Sequence, residues 1–192
     1  TRNAGKIREL AEPMAAFGLR VLGLEAFPAL GDIEETGTTF EENALLKART
    51  VAEATGLVAV ADDSGLEVDA LNGAPGIYSA RYGGDLPLLE GETRDQRNNR
   101  KLREERRTAR FVSTMAACKP GGAELVVRGV WEGRLLREPR GENGFGYDPL
   151  FWDPEINRAA AELTRDEKNA RSHRGKALRQ LLAAWPKFWE NR

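Results

Sequence analysis

The feature that most constrains the fold is a helix-start signal near residue 40. Thr38 with Glu41, or Thr39 with Glu42, can form a capping box, in which each residue of the pair bonds to the backbone N–H of the other. Apolar residues then recur at helical spacing, and Gly56 is placed to end the helix. The pattern predicts an amphipathic helix that must pack one face against a core.

An apolar run follows this helix directly. We interpret residues 57–61 as a short buried strand that ends in a polar turn at Asp62–Gly65, and residues 66–70 as a half-exposed strand of alternating polarity. Further on, residues 110–118 and 123–130 flank a Lys-Pro-Gly-Gly turn and predict a hairpin. Helices interleaved with both paired and isolated strands indicate a mixed α/β fold.

Helices are predicted towards both ends of the chain. Residues 6–17 carry apolar side chains at helical spacing, and Pro13 is expected to kink or shorten that helix. Another apolar stripe predicts a helix over residues 174–185. The charged stretch 83–110 mixes acidic and basic residues, which favours a solvated helix and loop. No linker or repeat divides the sequence, so one domain over residues 1–192 is expected.

Composition argues against several classes of function. The chain has 192 residues, with 29 Lys and Arg against 30 Asp and Glu, so its formal charge is −1. A nucleic-acid-binding face normally requires a basic excess, so no nucleic-acid partner is expected. Cys118 lies in an apolar run and is interpreted as a small buried hydrophobe. No stretch suits a membrane helix and no signal peptide is visible, which favours a cytoplasmic protein without a membrane partner.

Two polar clusters near the start of the chain suit a phosphate and a cation. Thr1–Lys6 combines a hydroxyl, an amide, a glycine and a lysine ahead of a helix, where free backbone N–H groups favour an anion. A simple helix cap with a surface lysine is the alternative. Asp32–Gly37 holds three carboxylates, which either form a solvated acidic loop or bind a hard cation. Neither cluster decides between its alternatives by itself.

The adjacent carboxylates of Asp62 and Asp63 are harder to explain as structure alone. Two carboxylates side by side after an apolar strand repel one another, so a cation or hydrogen-bond donors are expected nearby. Ligands of α/β proteins also gather at strand ends. A carboxylate at such a position can bind Mg²⁺ or polarise a water for attack on phosphorus. A capping Asp in an ordinary turn is the alternative.

Two later clusters suit a flat, hydrogen-bonding ligand. In residues 141–149, glycines flank Phe145 and Tyr147, so the backbone can approach a base while Phe145 stacks on it, a contact worth about 1–3 kcal/mol. A glycine-rich loop with its aromatics folded inward is the alternative. Residues 168–174 hold the single histidine, His173, among basic neighbours that can donate hydrogen bonds to a keto oxygen or to phosphates. A lone histidine is otherwise a structural residue with satisfied hydrogen bonds.

Together these clusters describe a nucleotide pocket, and their order resembles that of the inosine triphosphate pyrophosphatase (HAM1-like) family. The matching stretches span nearly the whole chain. They are Thr1–Lys6 (TRNAGK), Glu34–Ala48 (EETGTTFEENALLKA), Ala61–Leu66 (ADDSGL), Gly73–Tyr82 (GAPGIYSARY), Gly144–Leu150 (GFGYDPL), Ala161–Lys168 (AELTRDEK) and Ser172–Gly175 (SHRG).

The resemblance implies a role for each matching residue. Asp63 is similar to the family's general base and metal-linked carboxylate. Glu35, with Glu34 as a further candidate, resembles the acidic contribution to Mg²⁺, for which Mn²⁺ is an alternative. The residues expected to bind substrate are a phosphate loop (Thr1, Asn3, Lys6), Ser64 beside the general base, a base-binding loop (Phe145, Gly146, Tyr147, Asp148) and a set that reads a 6-keto purine (Lys168, His173, Arg174).

The resemblance also implies a fold and a reaction. The expected fold is an elongated α/β fold of two lobes, with a long mixed central β-sheet flanked by helices and the active site in the cleft between the lobes, commonly as a homodimer. The expected activity is Mg²⁺-dependent hydrolysis of non-standard purine nucleoside triphosphates (ITP, dITP and XTP) to the monophosphate and pyrophosphate. The alternatives are a pyrophosphatase for another nucleotide and a nucleotide sensor without catalysis.

Overall fold

The computed structural model describes residues 4–102 and 108–190, and its helices and strands alternate along the chain. The α-helices are α1 (Ala4–Met14), α2 (Phe40–Thr55), α3 (Arg94–Leu102), α4 (Arg165–Arg171) and α5 (His173–Glu190). The strands are β1 (Ala59–Val68), β2 (Thr108–Cys118), β3 (Glu124–Leu135), β4 (Phe151–Asp153) and β5 (Arg158–Ala159). Short 3₁₀ helices lie at Ala15–Phe17, Leu24–Ala26, Asp69–Leu71, Gly76–Arg81 and Ala160–Glu162.

The five strands form one sheet in the order β1-β2-β3-β4-β5, so each strand lies beside its neighbours in sequence. β3 pairs antiparallel with β4, and β4 pairs antiparallel with β5. The predicted class, a mixed α/β fold built on a central sheet with helices, is confirmed. The prediction of a mixed sheet implies at least one parallel pair of strands. Neither of these two pairs is parallel.

Helix α2 begins and ends where the sequence predicts. Of the two alternative caps the structure uses the second, because the Thr39 Oγ1 atom accepts a hydrogen bond from the Glu42 N–H at 3.1 Å. The Glu42 carboxylate reaches back to the Thr38 N–H at 2.6 Å. Gly56 ends the helix in the left-handed conformation, with φ of 69°, which glycine adopts without a steric penalty.

The predicted polar turn at Asp62–Gly65 is wrong, because β1 runs without interruption from Ala59 to Val68. Successive side chains of a strand point to opposite faces, so Asp62 and Asp63 point away from each other. Each carboxylate pairs with a different lysine, Lys6 for Asp62 and Lys47 for Asp63. Repulsion between the carboxylates therefore does not break the strand.

The other elements largely match their predictions. The hairpin between β2 and β3 is confirmed, with the Lys119 N–H donating to the Ala123 carbonyl at 2.9 Å. The strands are longer than predicted, so β2 already begins at Thr108 within the stretch predicted as a charged helix and loop. α1 ends one residue after Pro13, as predicted. None of the described helices is long and apolar enough to cross a membrane.

The chain divides into two units, each with its own core. The first unit comprises residues 1–63, 114–127 and 178–192, and the second comprises residues 64–113 and 128–177. In the first unit, small residues of α2 pack with residues of β1 and β2, namely Ala44, Ala48, Ala52, Ala59, Ala116 and Cys118. In the second unit, Phe111, Trp131 and Phe151 form an aromatic cluster with ring centroids 4.3–6.3 Å apart. The expectation of one domain over residues 1–192 stays a prediction.

Cys118 is buried, as predicted, which makes its reactivity testable. The residue is 1% exposed, and burial, followed by the nearby charge of Glu124, raises the pKa of its thiol to about 11. A raised pKa keeps the thiol protonated, and only the thiolate reacts with alkylating reagents. We expect iodoacetamide to modify native Cys118 slowly at pH 8, and faster only as the pH approaches the raised pKa or after unfolding. Mass spectrometry measures the modification, and rapid labelling of the native protein at pH 8 would contradict the assignment.

Candidate active site

Three carboxylates meet two lysines in the first unit. The Lys47 Nζ atom lies 2.8 Å from Glu35 Oε1 and 2.8 Å from Asp63 Oδ1. It also donates to the backbone carbonyl of Asp62 at 3.0 Å. The Lys6 Nζ atom, from α1, lies 3.0 Å from Asp62 Oδ2. We call Lys6, Glu35, Lys47, Asp62 and Asp63 the acidic group, because its carboxylates outnumber its ammonium groups.

Helix α2 positions this group through one face. Asn43 and Lys47 are four residues apart, so they are neighbours on the helix surface. Asn43 is buried, its Oδ1 atom accepts the Gly37 N–H at 2.8 Å, and its side chain also hydrogen-bonds to Asp63. The cap at Thr39 fixes where the helix starts, and therefore which residues face Asp63.

Burial and charge determine the protonation of the group. Burial raises the pKa of Asp63, the hydrogen bond and charge of Lys47 lower it, and Glu35 raises it, with a net rise. Burial lowers the pKa of Lys47, but its bonds to Asp63 and Glu35 outweigh burial and raise it. Lys47 therefore remains a cation, and Asp63 is a stronger base than an exposed carboxylate.

Two carboxylates of the acidic group, those of Glu35 and Asp63, are candidate ligands for a magnesium ion. Among the described residues there is no cluster of three or more His, Cys, Asp and Glu side chains arranged for a metal. However, Glu35 and Asp63 already share one cation, the ammonium of Lys47, at 2.8 Å each. Mg²⁺ typically takes one or two carboxylates and fills its other positions with water and substrate phosphates. The neighbouring Glu34 is exposed, so the structure places Glu35 rather than Glu34 in the group.

A second group, in the second unit, surrounds the ring of Phe145. That ring is 61% exposed, with the Lys168 Nζ atom 4.9 Å and the Arg174 Cζ atom 5.8 Å from its centroid. The Arg174 Nη2 atom donates to Ser64 Oγ at 2.9 Å, and Lys168 pairs with Asp148 Oδ2 at 2.5 Å. We call Ser64, Phe145, Asp148, Lys168 and Arg174 the aromatic group. An exposed ring beside two cations suits a flat ligand with hydrogen-bond acceptors.

The loop that carries Phe145 is held by polar side chains. Asp148 is 2% exposed, and its Oδ2 atom accepts the Phe145 N–H at 2.8 Å. The N–H of Gly146 donates to Asp95 Oδ2 at 2.8 Å, and its carbonyl accepts from Asn99 Nδ2 at 2.9 Å. Both Asp95 and Asn99 belong to α3. These bonds give an irregular loop a defined conformation.

Besides Asp148, two more of the predicted substrate-binding side chains are buried. Tyr147 is 5% exposed, and its hydroxyl donates to the Ser79 carbonyl at 2.7 Å; burial raises the pKa of this hydroxyl above its usual value. His173 is buried and stacks on Phe111, with ring centroids 4.8 Å apart. The inward-folded alternative thus applies to Tyr147 but not to Phe145.

The structure gathers most of the predicted residues into two groups, one in each unit, and adds four residues to them. Glu35 and Lys6 join Asp63 in the first unit, while Ser64, Asp148, Lys168 and Arg174 surround Phe145 in the second. Thr1 and Asn3 lie outside the described residues. The residues that were missed are Asn43, Lys47, Asp95 and Asn99. Asn43 and Lys47 lie within the family-matching stretch Glu34–Ala48, whereas the signal for Asp95 and Asn99 is only their spacing of four residues within a helix.

A mixed α/β fold with a carboxylate group and a cation-flanked aromatic ring defines a candidate nucleotide-processing protein. Residues 1–184 match the model of the Ham1 family, and the chain belongs to this family.

Two similar proteins are named as nucleotide pyrophosphatases, and a solved structure of a HAM1 protein is also similar. The chain is 66% identical to a dITP/XTP pyrophosphatase of Nitratidesulfovibrio vulgaris, with 98% of this chain and 95% of the relative covered. It is 49% identical to a dITP/XTP pyrophosphatase of Lactiplantibacillus plantarum, with 98% and 94% covered. The solved structure of a HAM1 protein from Coxiella burnetii superposes with a TM-score of 0.89 at 43% identity, covering 97% of this chain and 96% of that one.

Two glycines of the loop that carries Phe145 provide a matched test of the geometry of that loop. Gly144 and Gly146 both have positive φ, 77° and 62°, so an alanine is strained at either position. A Cβ atom at Gly144 would clash with Asp148 Oδ2, whereas one at Gly146 meets nothing within 4 Å. We therefore expect Gly144→Ala to lower the melting temperature more than Gly146→Ala. Equal shifts in melting temperature would contradict the close approach of the Asp148 carboxylate to Gly144.

Proposed function

We propose that the chain is a Mg²⁺-dependent pyrophosphohydrolase that converts ITP, dITP and XTP to their monophosphates and pyrophosphate. The observation that carries the proposal is the pairing of Asp63 and Glu35 on Lys47, which provides a base and oxygen ligands together. The activity named for the relatives at 66% and 49% identity supports the choice of substrate. We also propose a cytoplasmic homodimer, on the family resemblance alone.

The acidic group acts on the triphosphate. Asp63 accepts a proton from the water that attacks the α-phosphorus, and the bond between the α- and β-phosphates breaks to release pyrophosphate. Glu35 and Asp63 would hold Mg²⁺ through their carboxylate oxygens, and the bound ion would neutralise charge on the phosphates. Lys6 and Lys47 stabilise negative charge that develops on the phosphate oxygens. Thr1 and Asn3 are proposed to bind phosphate on the resemblance alone.

The aromatic group binds the purine. Phe145 stacks on the base, while Lys168 and Arg174 donate hydrogen bonds to its 6-keto oxygen. An adenine presents an amino group there and leaves these donors unpaired, and a site built to bond a substrate group discriminates strongly against an analogue that lacks it. Gly146, Tyr147 and Asp148 shape the loop.

His173 has a supporting role in this proposal. It packs on Phe111 at the start of α5 and so orients the next residue, Arg174.

Pyrophosphate release from ITP, XTP, ATP and GTP, with Mg²⁺ and with EDTA, tests the proposal. We expect rapid release from ITP and XTP in Mg²⁺ only, because the described oxygen ligands suit that ion. Release from ATP as fast as from ITP would refute the choice of substrate. Pyrophosphate release that persists in EDTA would refute the requirement for a metal. No release from any nucleotide would indicate a nucleotide sensor without catalysis.

Removing the proposed base tests the role of Asp63. Asp63→Asn keeps the shape of the side chain but cannot accept the proton, so we expect kcat to fall at least about a hundredfold. The Kd for ITP should change far less, because the aromatic group is intact. Asp166→Asn, at an exposed carboxylate of α4, is the matched control and should leave kcat unchanged. An Asp63→Asn enzyme that retains most of its kcat would rule out Asp63 as the general base.

A further inference from the structure

The position of the Phe145 ring depends on the backbone of its loop. An exposed ring is not confined by core packing, and this ring is 61% exposed. Its described ring contacts are with the charged ends of Lys168 and Arg174, which leave most of the ring surface open. The next residue, Gly146, lies in the left-handed region with φ of 62°, where the loop changes direction. Contacts that fix the Gly146 backbone therefore also help to orient the Phe145 ring.

Helix α3 holds Gly146 by both of its backbone groups. Asp95 accepts from its N–H at 2.8 Å, and Asn99 donates to its carbonyl at 2.9 Å. Asp95 and Asn99 are four residues apart and lie on one face of the helix. Asp95 accepts a hydrogen bond and Asn99 donates one. The two side chains therefore bind the Gly146 peptide groups only when the backbone runs in the observed direction. The pair thus sets both the position and the orientation of the loop.

Helix α3 is itself firmly anchored. Its Asn98 is buried, accepts the Gly83 N–H at 2.7 Å and donates to the Ser79 carbonyl at 3.3 Å. The same Ser79 carbonyl accepts from the hydroxyl of Tyr147 at 2.7 Å. The helix and the residue after Gly146 are therefore tied to one carbonyl group. This common anchor makes α3 a fixed support for the loop.

We infer that Asp95 and Asn99 are positioning residues that orient the Phe145 ring for the purine without contacting the substrate. The inference rests on the proposed function, because it assigns the ring to a base. It predicts that loss of either hydrogen bond weakens binding of the purine base but leaves hydrolysis at the phosphates unchanged. General damage to the fold would instead affect every triphosphate alike.

The kinetic test compares ITP with a base-free analogue, 1,2-dideoxyribose 5′-triphosphate. For Asn99→Ala we expect kcat/KM for ITP to fall about fivefold to tenfold, mainly through KM, as for loss of one orienting hydrogen bond. Turnover of the base-free analogue should stay within about twofold of wild type, since it makes no base contact. Alanine favours helix, so α3 is retained. Arg94→Ala, at an exposed position of the same helix, is the matched control and should change neither substrate.

Two further comparisons separate positioning from bulk structure. Asp95→Asn keeps an acceptor oxygen and should preserve most of the activity, whereas Asp95→Ala should behave like Asn99→Ala. Adding Asn99→Ala to Phe145→Ala should cost little more, because the ring that α3 positions is already absent. Fully additive losses, or equal losses for ITP and the base-free analogue, would overturn the inference.

Hydrogen exchange of residues 141–150 tests the same contact without any substrate. We expect faster exchange in Asn99→Ala than in wild type or Arg94→Ala, because the loop is no longer held by α3. Unchanged exchange would overturn the inference whatever the kinetics show. A wild-type protein that does not hydrolyse ITP would refute the proposed function, and exchange would still decide whether α3 holds the loop.

Discussion

The ammonium group of Lys47 is the contact on which the acidic group depends. A lysine has three N–H donors, and three acceptors lie around this one: Glu35 Oε1 and Asp63 Oδ1 at 2.8 Å, and the Asp62 carbonyl at 3.0 Å. Without it, Glu35 and Asp63 would be neighbouring like charges, and one of them would be driven towards protonation. Because one of the acceptors is a backbone carbonyl, the lysine also ties α2 to the main chain of β1. Electrostatics and helix packing are therefore coupled.

The small residues of α2 make this contact geometrically feasible. Ala44, Ala48 and Ala52 are buried on the helix face that packs with Ala59 and Cys118. Side chains of this size let a helix lie close to a sheet, and larger ones would force the backbone to move. The distance between helix and strand thus follows from the alanines, and the reach of a lysine side chain matches that distance. An apolar stripe that the sequence already displays is therefore a condition for the polar site.

Local signals predicted the elements of the fold but not its long-range pairs. The cap at Thr39 and the turn at residues 119–122 depend on a few neighbouring residues, and both predictions are confirmed. The interruption predicted in β1 is wrong because Asp62 pairs with Lys6, 56 residues away, which no local pattern reveals. Asp95 was missed for the same reason, since its partner Gly146 lies 51 residues further along the chain. Helix α3 is charged, as predicted, but only its first three residues, Arg94–Gln96, are exposed, whereas Asn98 and Leu102 are buried.

Asp148 links the shape of the loop that carries Phe145 to the proposed selectivity for keto purines. A carboxylate that is 2% exposed loses its hydration, so it requires donors, and it finds them in the Phe145 N–H and the ammonium of Lys168. The same oxygen therefore fixes the backbone of the stacking residue and the cation beside its ring. A donor that is fixed in this way cannot turn aside when an amino group replaces a keto oxygen. Discrimination requires this rigidity, because a mobile lysine would find water or another acceptor and lose little.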